Sequence, residues 1–188
     1  MKERPIIFSA PEVRAILAGR KTMTRRLAKL PVVGEFTEDG SLRLRCPFGQ
    51  PGERLWVRET FLHEPADYCW EASVSIPSRP ALTIYRADAD PTGVGTAGWK
   101  SPIHMPRSLS RITLEIESVR VERLQDISSD DCVAEGVGDP VGTPLPYGSV
   151  TEAWNRRSYQ LRWETINGDE SWDANPLVWV LSFKRVTP

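Results

Sequence analysis

Histidine and cysteine are scarce, with two His and three Cys in 188 residues. Cys46, Cys69 and Cys132 stand far apart, are odd in number and form no Cys-x-x-Cys pair. A disulfide framework and a zinc finger are thereby excluded, and a reducing compartment is expected. Neither His63 nor His104 has a partner at metal-ligand spacing, so no metal site is expected. No apolar run approaches the roughly eighteen residues of a membrane span. The opening apolar stretch, residues 5–8, is too short for a secretory signal. The expectation is a cytoplasmic protein with no membrane partner. Also missing are a Walker loop, Gly-x-Gly-x-x-Gly, Gly-x-Ser-x-Gly and His-Glu-x-x-His. Triphosphate hydrolysis and dinucleotide redox chemistry have no support, and no cofactor is expected.

What is present is a globular composition, 40% hydrophobic and 26% charged, in a length that suits one domain. The net charge of −1 does not advertise nucleic acid, but its distribution is segregated. Residues 13–30 hold six bases and no acid, and residues 91–114 hold Lys100, Arg107, Arg111 and His104, again with no acid. Residues 115–139 reverse the sign, with eight acids against Arg120 and Arg123. Such a pattern either gives a neutral protein one basic face, as phosphate binding needs, or meets opposite charge within the fold.

Residues 5–8 read as a strand. Ser9-Ala10-Pro11-Glu12 is a capping box, followed by the apolar stripe Val13, Ile16, Leu17 and a terminating Gly19. Asp39-Gly40 and Pro51-Gly52 mark turns, and residues 54–60 and 81–85 read as strands. Ile112, Leu114 and Ile116 alternate, then Val119 and Val121 continue one residue out of phase, which predicts a bulge. Ser128 with Asp131 opens a short helix that Gly136 ends, and Thr151 caps a longer one carrying Trp154, Leu161, Trp163 and Ile166. The final strand places Leu177, Trp179, Leu181 and Phe183 on one face. Residues 88–98 and 138–148 read as loops. Many short strands with few helices predict a compact barrel-like α+β domain.

Three constellations could carry chemistry. Gly19-Arg20-Lys21-Thr22-Met23-Thr24-Arg25-Arg26 puts an amine, hydroxyls and guanidinium groups just past a helix end. Lys21 could serve as base toward Thr24, with Arg26 on an oxyanion or phosphate. The alternative is a phosphate-binding basic loop without catalysis. Lys21 and Thr24 share a face only if the helical turn continues, and part company if the strand starts early. Arg58-Glu59 ends a strand, and an inward Glu59 there calls for an ion-pair partner. Residues 99–107 combine Trp99, Lys100, His104 and Arg107 with stiffening prolines, suited to stacking a base beside a phosphate or to serving as a rigid connector.

The segment 19–26 resembles the ASCH family, whose hallmark is Gly-x-Lys-x-x-x-Arg after the first helix. Pro51-Gly52-Glu53-Arg54-Leu55-Trp56-Val57-Arg58-Glu59 resembles the family's Pro-Gly-Asp strand, residues 112–124 its long strand, 128–136 its short helix and 179–185 its closing strand. Residues 99–107 and the Thr165-Ile166-Asn167-Gly168 ending resemble the larger, phage- or prophage-encoded branch. The resemblance implies a PUA-like mixed β-barrel flanked by helices, a single domain over 1–188 with excursions at about 30–50 and 62–110. It implies RNA or a modified nucleoside as ligand. Similarity to the bacterial N4-acetylcytidine amidohydrolases within the family implies Lys21, Thr24 and Glu135 as catalytic residues. Arg20, Arg25, Arg26, Trp56, Glu59, Trp99, Lys100, His104 and Arg107 are the expected ligand-binding set. Rival readings are a non-catalytic reader of RNA or a modified base, and a metal-independent ribonuclease using Lys21 with His104 or Glu59.

Overall fold

The closing strand has apolar residues on both faces, and that fixes the architecture. In a computed structural model, which describes residues 2–29, 32, 34–36, 42–64, 81–89, 98–137 and 152–186, this strand is β9 (Leu177–Val186). Trp179, Leu181 and Phe183 enter one hydrophobic core, and Val178 and Val180 enter another. A strand buried on both sides needs a layer over each face.

The strands of the main sheet are β1 (Glu3–Ile7), β2 (Met23–Leu27), β5 (Arg54–Arg58), β8 (Thr113–Arg123) and β9, in the order β1-β5-β8-β9-β2. β1 runs parallel to β5, and the other ladders are antiparallel. Helix α1 (Ala10–Leu17) contributes Val13 and Ile16 to the first core, with Ile6, Phe8, Leu55, Leu114 and Phe183. Helices α2 (Ser129–Ala134) and α3 (Glu152–Asn167) cover the other face through Cys132, Tyr159 and Trp163. Strands β3 (Gly34–Phe36) and β4 (Leu42–Leu44) form a separate pair, as do β6 (Phe61–Glu64) and β7 (Leu82–Tyr85).

The architecture is α+β, as expected. The anticipated barrel is an open five-stranded sheet among the described residues: β1 and β2 are its two edges, and no ladder joins them. What spans the gap is a side chain, the Arg26 guanidinium, whose Nη2 donates to the Ile7 carbonyl at 2.6 Å. The register of β8 on β9 slips between Ile116 and Ser118, where the sequence phase changes. The Asp39-Gly40 turn, Thr151, Cys69, residues 138–148 and most of the 88–98 loop lie outside the described residues.

Helix α3 differs from its sequence pattern. Of the four expected apolar residues only Trp163 is buried, and Trp154, Leu161 and Ile166 are exposed. The inward stripe is Asn155, Tyr159 and Trp163, at i, i+4 and i+8. It is polar and aromatic because it meets α2, where Asn155 Nδ2 donates to Ser129 Oγ at 2.8 Å.

Gly136, at the end of α2, adopts φ +76°, and a Cβ there would stand 3.0 Å from Ala15 Cβ and 3.1 Å from Lys21 Cβ. The close approach lets α2 reach the start of β2. Gly136→Ala is expected to lose about 2 kcal/mol or more, since strain of about 1–2 kcal/mol is joined by crowding. Gly52→Ala, at φ +84° with nothing within 4 Å, should cost the strain alone. Equal losses in chemical denaturation would show that the packing behind Lys21 yields freely.

Candidate functional site

A cleft of about 580 Å³ lies beside the gap between the sheet edges. Most of its wall comes from four places: Ile7, Phe8, Ser9 and Glu12 at the β1–α1 junction; Thr24 to Leu27 on β2; Glu135 after α2; and Tyr159, Arg162, Trp163, Ile166 and Asn167 on α3; Phe48, Thr60 and Pro102 complete it. Sheet order explains the convergence. β2 is an edge strand, so α1 and α3 can flank its free side, and the 21–135 bridge ties α2 to the residues just before it.

Lys21 is fully enclosed, with no side-chain exposure. Its Nζ donates to Glu135 Oε2 at 2.7 Å and to the Glu135 carbonyl at 3.0 Å, and Glu12 Oε1 is 3.7 Å away. Burial pulls the amine below its ordinary pKa of 10.5, against the two carboxylates, which pull it up. Taking an ammonium out of water costs several kcal/mol, so this one is held by charge on two sides. Glu135 is held in turn: Arg25 Nη1 lies 3.4 Å from Glu135 Oε1. Arg25 also binds Glu122 and Asp131, each at 2.5 Å, and Arg120 closes the ring on the same two carboxylates. Two cations of the basic run, Lys21 and Arg25, thus meet three carboxylates of the acidic run, Glu122, Asp131 and Glu135, within the fold.

Glu12 has two tasks. Its Oε2 accepts from the Ser9 amide and hydroxyl at 2.8 Å each, completing the capping box, while Oε1 faces Lys21 and lies 3.3 Å from Arg162 Nη2. Burial would raise its carboxyl; the Lys21 charge, the Ser9 amide and the Arg162 charge outweigh it and hold the group below 4.5.

The strand starts at Met23, after Lys21, which pairs only in an isolated bridge with Glu135. Thr24 lies across from Leu181 and Arg25 across from Val180, so the two point to opposite faces. Thr24 is buried and lines the cleft with Glu135, while no hydrogen bond joins it to Lys21 among the described residues. Arg26 packs over the Phe8 ring at 5.1 Å. Two donors of cleft-lining residues, Arg26 Nε and Trp163 Nε1, are buried with no partner among the described residues, whereas Arg162 Nη2 keeps its ion pair with Glu12. Leaving a buried donor unpaired costs about 1–3 kcal/mol, so this wall favours a ligand rich in acceptors.

The remaining expected residues go elsewhere. Arg20 is half-buried outside the cleft lining. Trp56 is buried with Arg58 over its ring at 4.6 Å and Arg107 at 6.0 Å, so cations already occupy its stacking face. Glu59 is buried in a two-pronged pair with Arg111, at 2.9 and 3.1 Å. Trp99 is half-buried with Arg86 over its ring at 5.2 Å. Lys100 and His104 are exposed, and Arg107 binds Glu3 at 2.8 Å. From residues 99–107 only Pro102 reaches the cleft. The sequence reading missed the α3 wall altogether. Its available signal was the i, i+3, i+4, i+7 spacing of Tyr159, Arg162, Trp163 and Ile166.

No group of three metal-ligating side chains occurs among the described residues, and no described helix is long and apolar enough to cross a membrane.

Glu12→Gln tests the charge arrangement through pH. A carboxyl held below 4.5 in the folded state adds stability above that pH and loses it as the pH falls through the lowered value. The variant should therefore be less stable than the parent at pH 7 by about 2 kcal/mol, with the gap closing below pH 4.5. A gap that is the same at pH 7 and pH 3 would contradict the ion pairing.

No protein-family model and no curated protein matches the sequence. Among solved structures, the chain is similar to a crystal structure of an ASCH domain from Lactobacillus crispatus JV V101, at 15% identity and a TM-score of 0.44, over 98% of this chain and 79% of that one. At that score the likeness fixes neither the family nor the activity of this chain.

Proposed function

We propose that the cleft binds a modified nucleoside and hydrolyses the amide of an N4-acylated cytosine. The observation that carries this reading is the meeting of Thr24 and Glu135 on one cleft, with Lys21 directly behind the carboxylate. Those three residues were singled out by their motif positions, far apart in sequence.

The roles shift with the geometry. Lys21 does not line the cleft and its amine is taken up by Glu135, so it is a positioning residue rather than the base. Glu135 accepts the Thr24 proton as Thr24 Oγ attacks the acyl carbonyl. The C–N4 bond then breaks, N4 leaves with the proton from Glu135, and water releases the acyl group from Thr24 as a carboxylic acid. Arg26 offers a donor to the oxyanion, since its Nε is unpaired among the described residues. A cytoplasmic site of action suits a nucleoside substrate and accords with the free Cys46 and Cys132.

A second reading, a binding module without chemistry, is favoured by the complete enclosure of Lys21 and the missing Lys21–Thr24 contact. The ribonuclease reading loses its footing, because neither Glu59 nor His104 lines the cleft beside Lys21 and Glu135.

Incubation with N4-acetylcytidine, followed by chromatography, separates these readings. Hydrolysis is expected to give cytidine and acetate, with Glu135→Gln and Thr24→Val each lowering kcat/KM by at least about 100-fold. Binding without cytidine formation would replace the hydrolase by the binding module, and full turnover in Thr24→Val would remove the nucleophile.

A further inference from the structure

The ammonium of Lys21 is sealed from water, and two carboxylates hold its charge in different ways. Glu135 Oε2 accepts from Nζ at 2.7 Å, whereas Glu12 Oε1 stands at 3.7 Å, past hydrogen-bond reach but close enough for charge. Glu12 is pinned there. Its other oxygen accepts from Ser9, and Arg162 Nη2 lies 3.3 Å from Oε1. Two further neighbours of the amine carry no charge: the Glu135 carbonyl at 3.0 Å and the Phe8 ring, with its centroid at 5.6 Å. Glu12 and Glu135 both line the cleft with Thr24. When Glu135 takes the Thr24 proton it turns neutral, and Lys21 loses the charge of its nearest partner. Burial already pulls this amine below 10.5, so a second anion is needed to keep the proton on it.

We propose that Glu12 is a positioning residue for the hydrolysis, keeping Lys21 charged and in place while Glu135 carries the Thr24 proton. The inference rests on the hydrolase reading of the cleft. As the proton passes from Thr24 Oγ to Glu135, the charge of Lys21 is held by Glu12 Oε1. When N4 leaves with that proton, Glu135 is an anion again and retakes the amine. Lys21 and Glu12 neither gain nor lose a proton, so the pair ends this half of the reaction as it began. The second anion also favours the transfer itself, because two carboxylates at one site disfavour being ionised together. Around Glu12 stand Arg162 of α3 and Arg26 of β2. Around Glu135 stand Arg25 of β2, Tyr159 of α3 and Cys132 of α2. Burial raises the Tyr159 phenol and the Cys132 thiol, so both stay neutral at the pH values that matter.

A capping box forms with Gln as with Glu, so Glu12→Gln removes the charge and keeps the cap. With N4-acetylcytidine this variant is expected to lose about tenfold in kcat at pH 7, with KM little changed. The acid limb of its kcat/KM profile should move down by about one pH unit, since a negative charge has left the coupled carboxylates. Arg162→Gln removes a cation from the same place and should move the limb up. General damage to the cleft does not send the two limbs in opposite directions. Limbs that stay together overturn the inference and leave the hydrolase reading standing. A second measurement needs no turnover. The Nζ signal of Lys21 is followed by nitrogen NMR in Glu135→Gln, where a neutral amide stands in for the protonated acid. Lys21 is expected to remain charged there at pH 7, and a neutral amine at that pH overturns the inference. No cytidine from the parent at any pH removes the hydrolase reading and the catalytic role of Glu12 with it, while a charged Lys21 in Glu135→Gln would keep the hold of Glu12 on Lys21.

Discussion

An ammonium group sealed from water is the constraint around which this molecule is arranged. Lys21 has no exposed side-chain surface, and the carboxylates of Glu135 and Glu12, with the Glu135 carbonyl, make that tolerable. Meeting the demand draws three elements together. The first turn of α1 brings Glu12, the end of α2 brings Glu135, and the residues ahead of β2 bring Lys21 itself. Gly136 is the backbone permission for it, since its φ is +76° and a side chain there would crowd Lys21 and Ala15. The cleft is a consequence: once these pieces converge at an open sheet edge, α3 roofs a space whose lining includes the carboxylates of Glu12 and Glu135, the hydroxyl of Thr24 and the unpaired donors of Arg26 and Trp163.

Much of this was legible in the chain, and the reasons are local. A capping box, a helix-ending glycine and an alternating strand each depend on a few adjacent residues, so α1, α2 and β9 could be read directly. The phase change after Ile116 marked the irregularity in β8. Lys21, Thr24 and Glu135 were legible because a motif fixes the first two and counting through a very short helix fixes the third.

What was not legible depended on contacts distant in sequence. α3 hides the face it packs inward, because that stripe is Asn155, Tyr159 and Trp163, while Trp154, Leu161 and Ile166 are exposed, Ile166 at the cleft. An apolar count points to the wrong side. Glu12 was read as a cap, and nothing in the local pattern shows that its second oxygen faces Lys21. Trp56 and Trp99 looked like stacking platforms, yet arginines cover both rings. Composition reveals that aromatics and cations are neighbours; it does not reveal whether they have already found each other. The barrel expectation failed to close for a related reason, as the two edge strands are separated by the site and spanned by Arg26.

The claim beneath all of this is that Lys21 and Glu135 hold each other, and that the cleft takes its shape from their union. A double-mutant cycle in chemical denaturation measures it most directly, with Lys21→Met, Glu135→Gln and the two combined. A coupling of about 2–3 kcal/mol is expected, the upper range for residues in one buried network. Additive losses, with a coupling near zero, would mean that the pair is incidental and that something else builds the site.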